Sequence, residues 1–242
     1  MLATAYCASV DADTQNVSAD HVPVVDRDVL DDRLAKGTLR TLEAKEHLFC
    51  EGDPAAQVYR VEVGHICIYR MMPDGRRQVI DFAYPGDVIG LGALIEYSDS
   101  AQAMERTLVR GMSLASLRDL AQADSLLGRR LYEALSHELM AARELLFTVS
   151  QRTAAERIAA FLVALSRRNV RRGENPNEIV LPMTRMDIAD FLGMTIETVS
   201  RTLTKLRLEG VIDLEQCILV TVCKPESLAR LAQGAGDTRS KT

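Results

Sequence analysis

The 242-residue sequence predicts an α+β protein built in three parts. Three observations carry that prediction. From about residue 41 to 120 the chain breaks into short segments of alternating polarity separated by turn residues, as in a sandwich or barrel. Residues 124–150 then switch to a sustained three–four apolar repeat, the mark of a long helix. Beyond residue 153 short capped helices flank one tight turn, and a hairpin follows.

Composition bounds the class. The length suffices for two ordinary cores. A chain that is 47% hydrophobic and 26% charged is globular. No apolar run reaches the ~20 residues of a membrane span. The opening MLATAYCASVDADTQ lacks the basic-then-apolar order of a signal peptide, so the expected location is the cytoplasm and no membrane partner is expected. Five cysteines, at 7, 50, 67, 217 and 223, are an odd number without a disulfide framework, which fits a reducing compartment. The net charge of −5 is unevenly spread: residues 1–152 carry 16 basic and 23 acidic groups (net −7), residues 153–242 carry 13 and 11 (net +2). That asymmetry suits a regulator whose binding surface is local.

Residues 1–25 are polar and unpatterned and read as a tail, leaving 26–123 for the β-rich domain. Within it QVYRVEVGHICIYR alternates from Val58, PDGR at 73–76 is a hairpin turn, RQVIDFAY alternates again, and PGD at 85–87 turns the chain once more. Residues 124–152 form the helix and a hinge. Tyr132, Leu135, Leu139, Ala142, Leu146 and Val149 make its stripe. Such a helix either packs on its own β-domain or pairs with its twin in a homodimer. Leu131, Met140 and Leu145 widen the apolar side enough for both, which favours the homodimer. At Thr153 a capping box with Glu156 opens residues 153–242. RRGENPN (171–177) is a loop and EIVLPM a short strand.

Thr184, three residues before Asp187, caps a helix running to Leu192; Thr195 caps a second running to about Glu209, before Gly210. Only Gly193 and Met194 separate them, the spacing of a helix-turn-helix. Ala189 allows close helix approach, Gly193 takes the positive φ of the turn, and Val199 fills the shared core. On the second helix Val199, Leu203 and Leu206 face inward, while Glu197, Ser200, Arg201, Thr204 and Lys205 face outward. Glu197 and Arg201 are one turn apart, so they are either an ion pair on a solvated face or part of a surface that reads base edges. In a major groove an Arg bonds guanine O6 and N7, a Glu accepts from cytosine N4, and a Ser meets thymine. VIDL and ILVTV around EQC read as a wing, and KPESLARLA as a closing helix with Pro225 near its start.

On these residues the chain from about 41 to 232 resembles the CRP/FNR superfamily of bacterial transcription regulators, and DIADFLGMTIETVSR is especially similar to its FNR and FixK branch. The resemblance implies a β-roll of the cyclic-nucleotide-binding jelly-roll type, a long dimerisation helix and a winged helix-turn-helix. It also implies that Glu197, Ser200 and Arg201 read TTGAT-type half-sites in an inverted repeat of double-stranded DNA. Thr184, Thr195, Thr198 and Lys205 then position the DNA backbone. RNA polymerase is the further partner implied, with activation under oxygen or redox control as the setting.

The family's known effector sites match poorly. Its cyclic-AMP pocket needs a Gly-Glu pair for the ribose and an Arg with a hydroxyl residue for the phosphate. Here Leu91 follows Gly90, Ala101 and Gln102 occupy the second pair, and Arg106-Thr107 restores it only through a shift of several residues. An iron–sulfur cluster needs four thiolates, and Cys7 stands alone in the tail. Haem-binding relatives use a Cys and a His just after PGD, where DVIGLG has neither. No cofactor is therefore expected. Two other readings stay open: a haem, metal or small-molecule effector in the β-roll, using His47 with Cys50 or His65 with Cys67, and a cupin-like enzyme, which needs clustered His and carboxylate ligands that HIC does not supply. Cys217, in the wing turn, is the thiol placed to disturb DNA approach on oxidation.

Overall fold

Short strands with one apolar face gain stability only by stacking that face on another sheet. The computed structural model describes residues 29–215 and 218–234; the expected tail over 1–25, with Cys7, and the wing thiol Cys217 lie outside them. The chain divides into two compact units. The first carries helix α1 (Val29–Leu34), β1 (Thr38–Leu42), β2 (His47–Phe49), β3 (Gln57–Val63), β4 (Ile66–Met71) as far as Arg70, β5 (Arg77–Ala83) from Asp81, β6 (Val88–Ile89), β7 (Ser100–Ala103) and β8 (Thr107–Ser113). They make two four-stranded sheets in the orders β1-β8-β3-β6 and β2-β7-β4-β5. Leu42, Val61, Ile66, Ile68, Ala101 and Val109 lie buried in one cluster within this unit. At the β3–β4 turn Gly64 has φ +81, and a Cβ there would lie 2.9 Å from Thr107 Cα, so both backbone conformation and space demand glycine.

Strands were expected to run to about 120, but residues 114–123 form helix α2 (Leu114–Ala123). The Ser113 hydroxyl caps it by accepting from the Ser116 amide, and Leu114 and Leu117 bury against Leu30, Leu34 and Val58. The short apolar step 114, 117, 120, 121 is helical in period, and α1 supplies part of the surface it covers. Asp124 then accepts from the amides of Leu126 and Leu127 and starts helix α3 (Ser125–Gln151), whose 27 residues span about 40 Å. Leu127 and Leu131 pack into the α1–α2 cluster. The predicted stripe behaves otherwise: Tyr132, Leu135, Leu139 and Leu146 are 72%, 41%, 54% and 66% exposed.

The second unit is built on α4 (Ala154–Arg171), β9 (Glu178–Val180), α5 (Arg185–Leu192), α6 (Ile196–Leu208), β10 (Ile212–Glu215), β11 (Leu219–Val222) and α7 (Pro225–Ala232). The capping box at the start of α4 is complete: the Thr153 hydroxyl accepts from the Glu156 amide at 3.4 Å and the Glu156 carboxylate from the Thr153 amide at 2.8 Å. Asn169 donates to the carbonyls of Asn175 and Glu178 and so folds the loop back onto α4. Strands β10, β11 and β9 form one antiparallel sheet. Ile158, Phe161, Leu162, Phe191, Val199 and Leu203 are buried, with the Phe161 and Phe191 rings 6.0 Å apart. Among the described residues no helix is long and apolar enough to cross a membrane. Because Phe161 is fully enclosed, Phe161→Ala should cost about 3–5 kcal/mol. Urea denaturation followed by circular dichroism of the whole chain checks this, and an unchanged midpoint would place the core elsewhere.

Candidate nucleic-acid interface

The interface rests on two helix starts and the turn between them. Thr184 caps α5: its hydroxyl accepts from the Asp187 amide at 3.1 Å and donates to the Asp187 carboxylate at 2.7 Å. Gly193 ends α5 at φ 62 and ψ 47, the left-handed conformation, and the Met194 amide closes the turn on the Ala189 carbonyl at 2.9 Å. Thr195 caps α6 by accepting from the Thr198 amide at 3.2 Å, and the two threonine hydroxyls lie 3.1 Å apart. Ala189 and Val199 are buried where the helices meet. These hydroxyls are thus engaged in holding helix ends, with Thr184 and Thr195 exposed and Thr198 half-buried.

Val199, Leu203 and Leu206 are buried, and the 3.6-residue period leaves Glu197, Ser200, Arg201, Thr204 and Lys205 exposed on the other side. Thr195, Ile196, Glu197, Ser200 and Arg201 line one open depression. Glu197 and Arg201 are neither hydrogen-bonded nor ion-paired to each other among the described residues. The Glu197 carboxyl is held below the usual range by its own backbone amide first and the Thr195 hydroxyl second, with the Arg201 charge a smaller contribution. An acid, a hydroxyl and a guanidinium therefore stand side by side with free hydrogen-bonding capacity. Lys205 lies 3.8 Å from Glu209 with both side chains largely exposed, an arrangement too well solvated to hold the lysine from another anion.

Two supports were not visible in the sequence. The Lys224 ammonium donates to the Glu209 carbonyl at 3.0 Å, at the C-terminal end of α6. Arg157 donates to the carbonyls of Leu192 and Gly193 at the end of α5. Both place cations where a helix presents unpaired carbonyls. The wing is the β10–β11 hairpin, Ile212 opposite Val222 and Glu215 opposite Leu219. Cys223, just past it, is exposed.

In the first unit the candidate effector residues are not brought together. Ala101 is buried on β7 between Phe49 and Ile68, and Arg106 is exposed, 3.8 Å from Glu43. Phe49 and Tyr97 stack at 3.7 Å, with the Tyr59 ring 6.1 Å from Phe49, so aromatic rings cluster in this part of the interior. His47 Nε2 lies 2.7 Å from the Tyr69 hydroxyl and His65 Nδ1 2.5 Å from the Glu105 carboxylate. Cys50 is exposed whereas Cys67 is buried. Among the described residues no group of three or more His, Cys, Asp or Glu side chains is placed to hold a metal.

The depressed Glu197 carboxyl gives a prediction. Its charge persists as pH falls through the ordinary carboxylate range and is lost only below it. A carbon-13 titration should show Glu197 protonating below the ordinary glutamate range, and Thr195→Val should move it upward. An unshifted titration in that variant would remove the hydroxyl as a cause.

Comparison with known proteins agrees with this architecture. Residues 39–124 match the cyclic nucleotide-binding domain family and residues 156–231 the Crp-like helix-turn-helix domain family. The nitrogen fixation regulation protein FixK of Rhizobium meliloti (strain 1021) is 36% identical over 199 residues, 79% of this chain and 85% of that protein. The transcriptional activator protein FnrA of Stutzerimonas stutzeri is 34% identical over 214 residues, 88% of this chain and 86% of that one. The structure of FixK2 from Bradyrhizobium japonicum superposes with a TM-score of 0.76 at 33% identity, covering 81% of this chain and 96% of that one. With the helix-turn-helix in place and relatives of this kind along most of its length, the chain belongs to the CRP/FNR family and is a DNA-binding transcription regulator, not an enzyme.

Proposed function

We propose that this chain is a homodimeric activator of the FixK type that reads a TTGAT-type inverted repeat without cyclic nucleotide or iron–sulfur cluster. The observation that carries this reading is the row of Glu197, Ser200 and Arg201, exposed together on the outer side of α6 with no ion pair between Glu197 and Arg201 among the described residues. Arg201 takes the guanine of the half-site through a bidentate bond, Glu197 a cytosine amine, and Ser200 a thymine. Thr184, Thr195, Thr198 and Lys205 position the phosphate backbone, Thr184 and Thr195 through the helix ends they cap. Arg201→Ala should cost ~1–3 kcal/mol per half-site and relax preference at one base pair, while Lys205→Ala weakens all sequences alike and flattens the salt dependence. Titration on half-sites varied one base at a time separates the two. An equal loss on every sequence for Arg201→Ala makes Arg201 a phosphate contact and removes the reading.

The dimer rests on α3. In the proposed division, 26–123 is the β-roll, 124–152 the dimerisation helix and hinge, and 153–242 the DNA-binding domain. Tyr132, Leu135, Leu139, Ala142, Leu146 and Val149 follow steps of three and four, the repeat of a two-stranded coiled coil. The exposure of Tyr132, Leu135, Leu139, Ala142 and Leu146, with Val149 half-buried, leaves an apolar seam for which a second copy is the matching occupant. Replacing Leu135 and Leu146 together with Glu should give monomers with weak operator binding. Sedimentation showing an intact dimer would relocate the interface.

Independence from an effector is supported by the stacked Phe49 and Tyr97 and by Ala101 in place of a cation, since a buried phosphate without one is costly. The protein as purified should bind its operator with no added ligand. Stoichiometric haem or metal by absorbance and elemental analysis, or micromolar cyclic-nucleotide binding by calorimetry, would establish a gated regulator instead.

A further inference from the structure

The joint between α3 and α4 and the turn of the helix-turn-helix meet at one side chain. Arg157, in the first turn of α4, donates through Nε to the Arg152 carbonyl at 2.9 Å and through Nη1 to the Leu192 carbonyl at 3.0 Å and the Gly193 carbonyl at 3.3 Å. Arg152 is fixed in turn by α3. Its amide donates to the Thr148 carbonyl at 3.2 Å, its guanidinium donates to Glu144 at 2.9 Å, and it lies over the Phe147 ring. The Arg152 and Glu144 side chains are only 17% and 27% exposed, so this pair is shielded from solvent more than a surface ion pair. A chain of contacts thus runs from α3 through Arg152 and Arg157 to the end of α5, next to the start of the reading helix.

We infer that Arg157 is a positioning residue that locks the helix-turn-helix to the C-terminal end of α3 and thereby sets the half-site spacing the dimer accepts. The inference rests on the homodimer and operator reading above. The acceptors lie in two places: within the helix break between Gln151 and Ala154, where α3 and α4 share no helical hydrogen-bond ladder, and at the end of α5. Only a rigid fork with several donors bonds both places at once; a lysine offers one mobile point charge. The carbonyls at the end of α5 also carry the partial negative charge of the helix dipole, which a guanidinium complements. The fold has its own apolar core in Phe161, Phe191 and Val199, so Arg157 is not required to hold the helices together. What it fixes is an angle. Carried to both protomers, that angle determines the separation of two reading helices that must enter major grooves about one DNA turn, ~34 Å, apart.

The test uses the full-length dimer with Arg157→Ala, Arg157→Lys and Glu144→Gln, the last releasing Arg152 without touching the helix-turn-helix. Each is titrated on inverted repeats whose central spacer is shortened or lengthened by one and two base pairs, and on a single half-site. The parent should favour one spacing strongly. Arg157→Ala should lose on the order of tenfold there while shifted spacings change little, so that the preference flattens. Its single-half-site affinity and base preference should stay as in the parent. Arg157→Lys should resemble Ala, and Glu144→Gln should flatten the preference to a smaller degree. An equal loss on every spacing, accompanied by a lower melting temperature, would make Arg157 merely structural and overturn the inference, as would an unflattened preference. Should Arg157→Ala fail to fold, Glu144→Gln decides alone: a flattened preference supports the lock and a parental one removes it. A parent with no base preference on the half-site, or no dimer, contradicts the operator reading instead and is recognised before any variant is compared.

Discussion

Burial of Val199, Leu203 and Leu206 is the constraint on which the rest of the interface depends. A helix with a 3.6-residue period cannot bury one side without committing the other. Once those three side chains fill the space beneath α6, Glu197, Ser200 and Arg201 have nowhere to point but outward. The turn enforces the same result from the other end. Gly193 in the left-handed conformation and the buried Ala189 bring α5 close enough for Val199 to be covered; a side chain at 193 would be strained by the φ of 62, and a bulkier residue at 189 would push the helices apart. The outward row of Glu197, Ser200 and Arg201 is thus a consequence of core packing.

The remainder of the second unit holds that surface steady at its edges. Thr184 and Thr195 close the helix starts, Lys224 and Arg157 close the helix ends, and Asn169 pins the loop that leads into β9. Each is a modest interaction by itself, about 0.5–2 kcal/mol for a cap. In the first unit the balance differs. Phe49, Tyr59 and Tyr97 stack where side chains alone suffice to fill the interior, and the hydroxyl of Tyr97 is satisfied by the Gln57 carbonyl at 2.6 Å. These stacked rings give that part of the core a defined packing.

The helix-turn-helix was legible in the sequence because every signal for it is local. Caps, a turn glycine and an apolar period all lie within the stretch from Thr184 to Gly210, and the structure places each where its chemistry requires. Helix α2 was not legible, since it directly follows β8 and its burial depends on α1, Val58 and Leu127 from distant parts of the chain. Arg157 and Lys224 were missed for a related reason. Their acceptors are backbone carbonyls 35 and 15 residues away, and a long basic side chain aimed at a carbonyl has the same sequence signature as one in water. The His and Cys pairs at 47, 50, 65 and 67 show the reverse error in prospect: closeness in sequence suggested a ligand set, whereas each histidine is hydrogen-bonded to an oxygen of its own.

The central claim is that the outer side of α6 reads bases, and the most direct measurement is a crystal structure of the full-length protein on an inverted repeat. The account predicts two protomers joined along α3, with each Arg201 guanidinium in the plane of a guanine and within hydrogen-bond distance of its O6 and N7. Glu197 should face an exocyclic amine in the same groove. A complex in which Arg201 turns back to Glu197, or lies on a phosphate while other residues meet the bases, would contradict it.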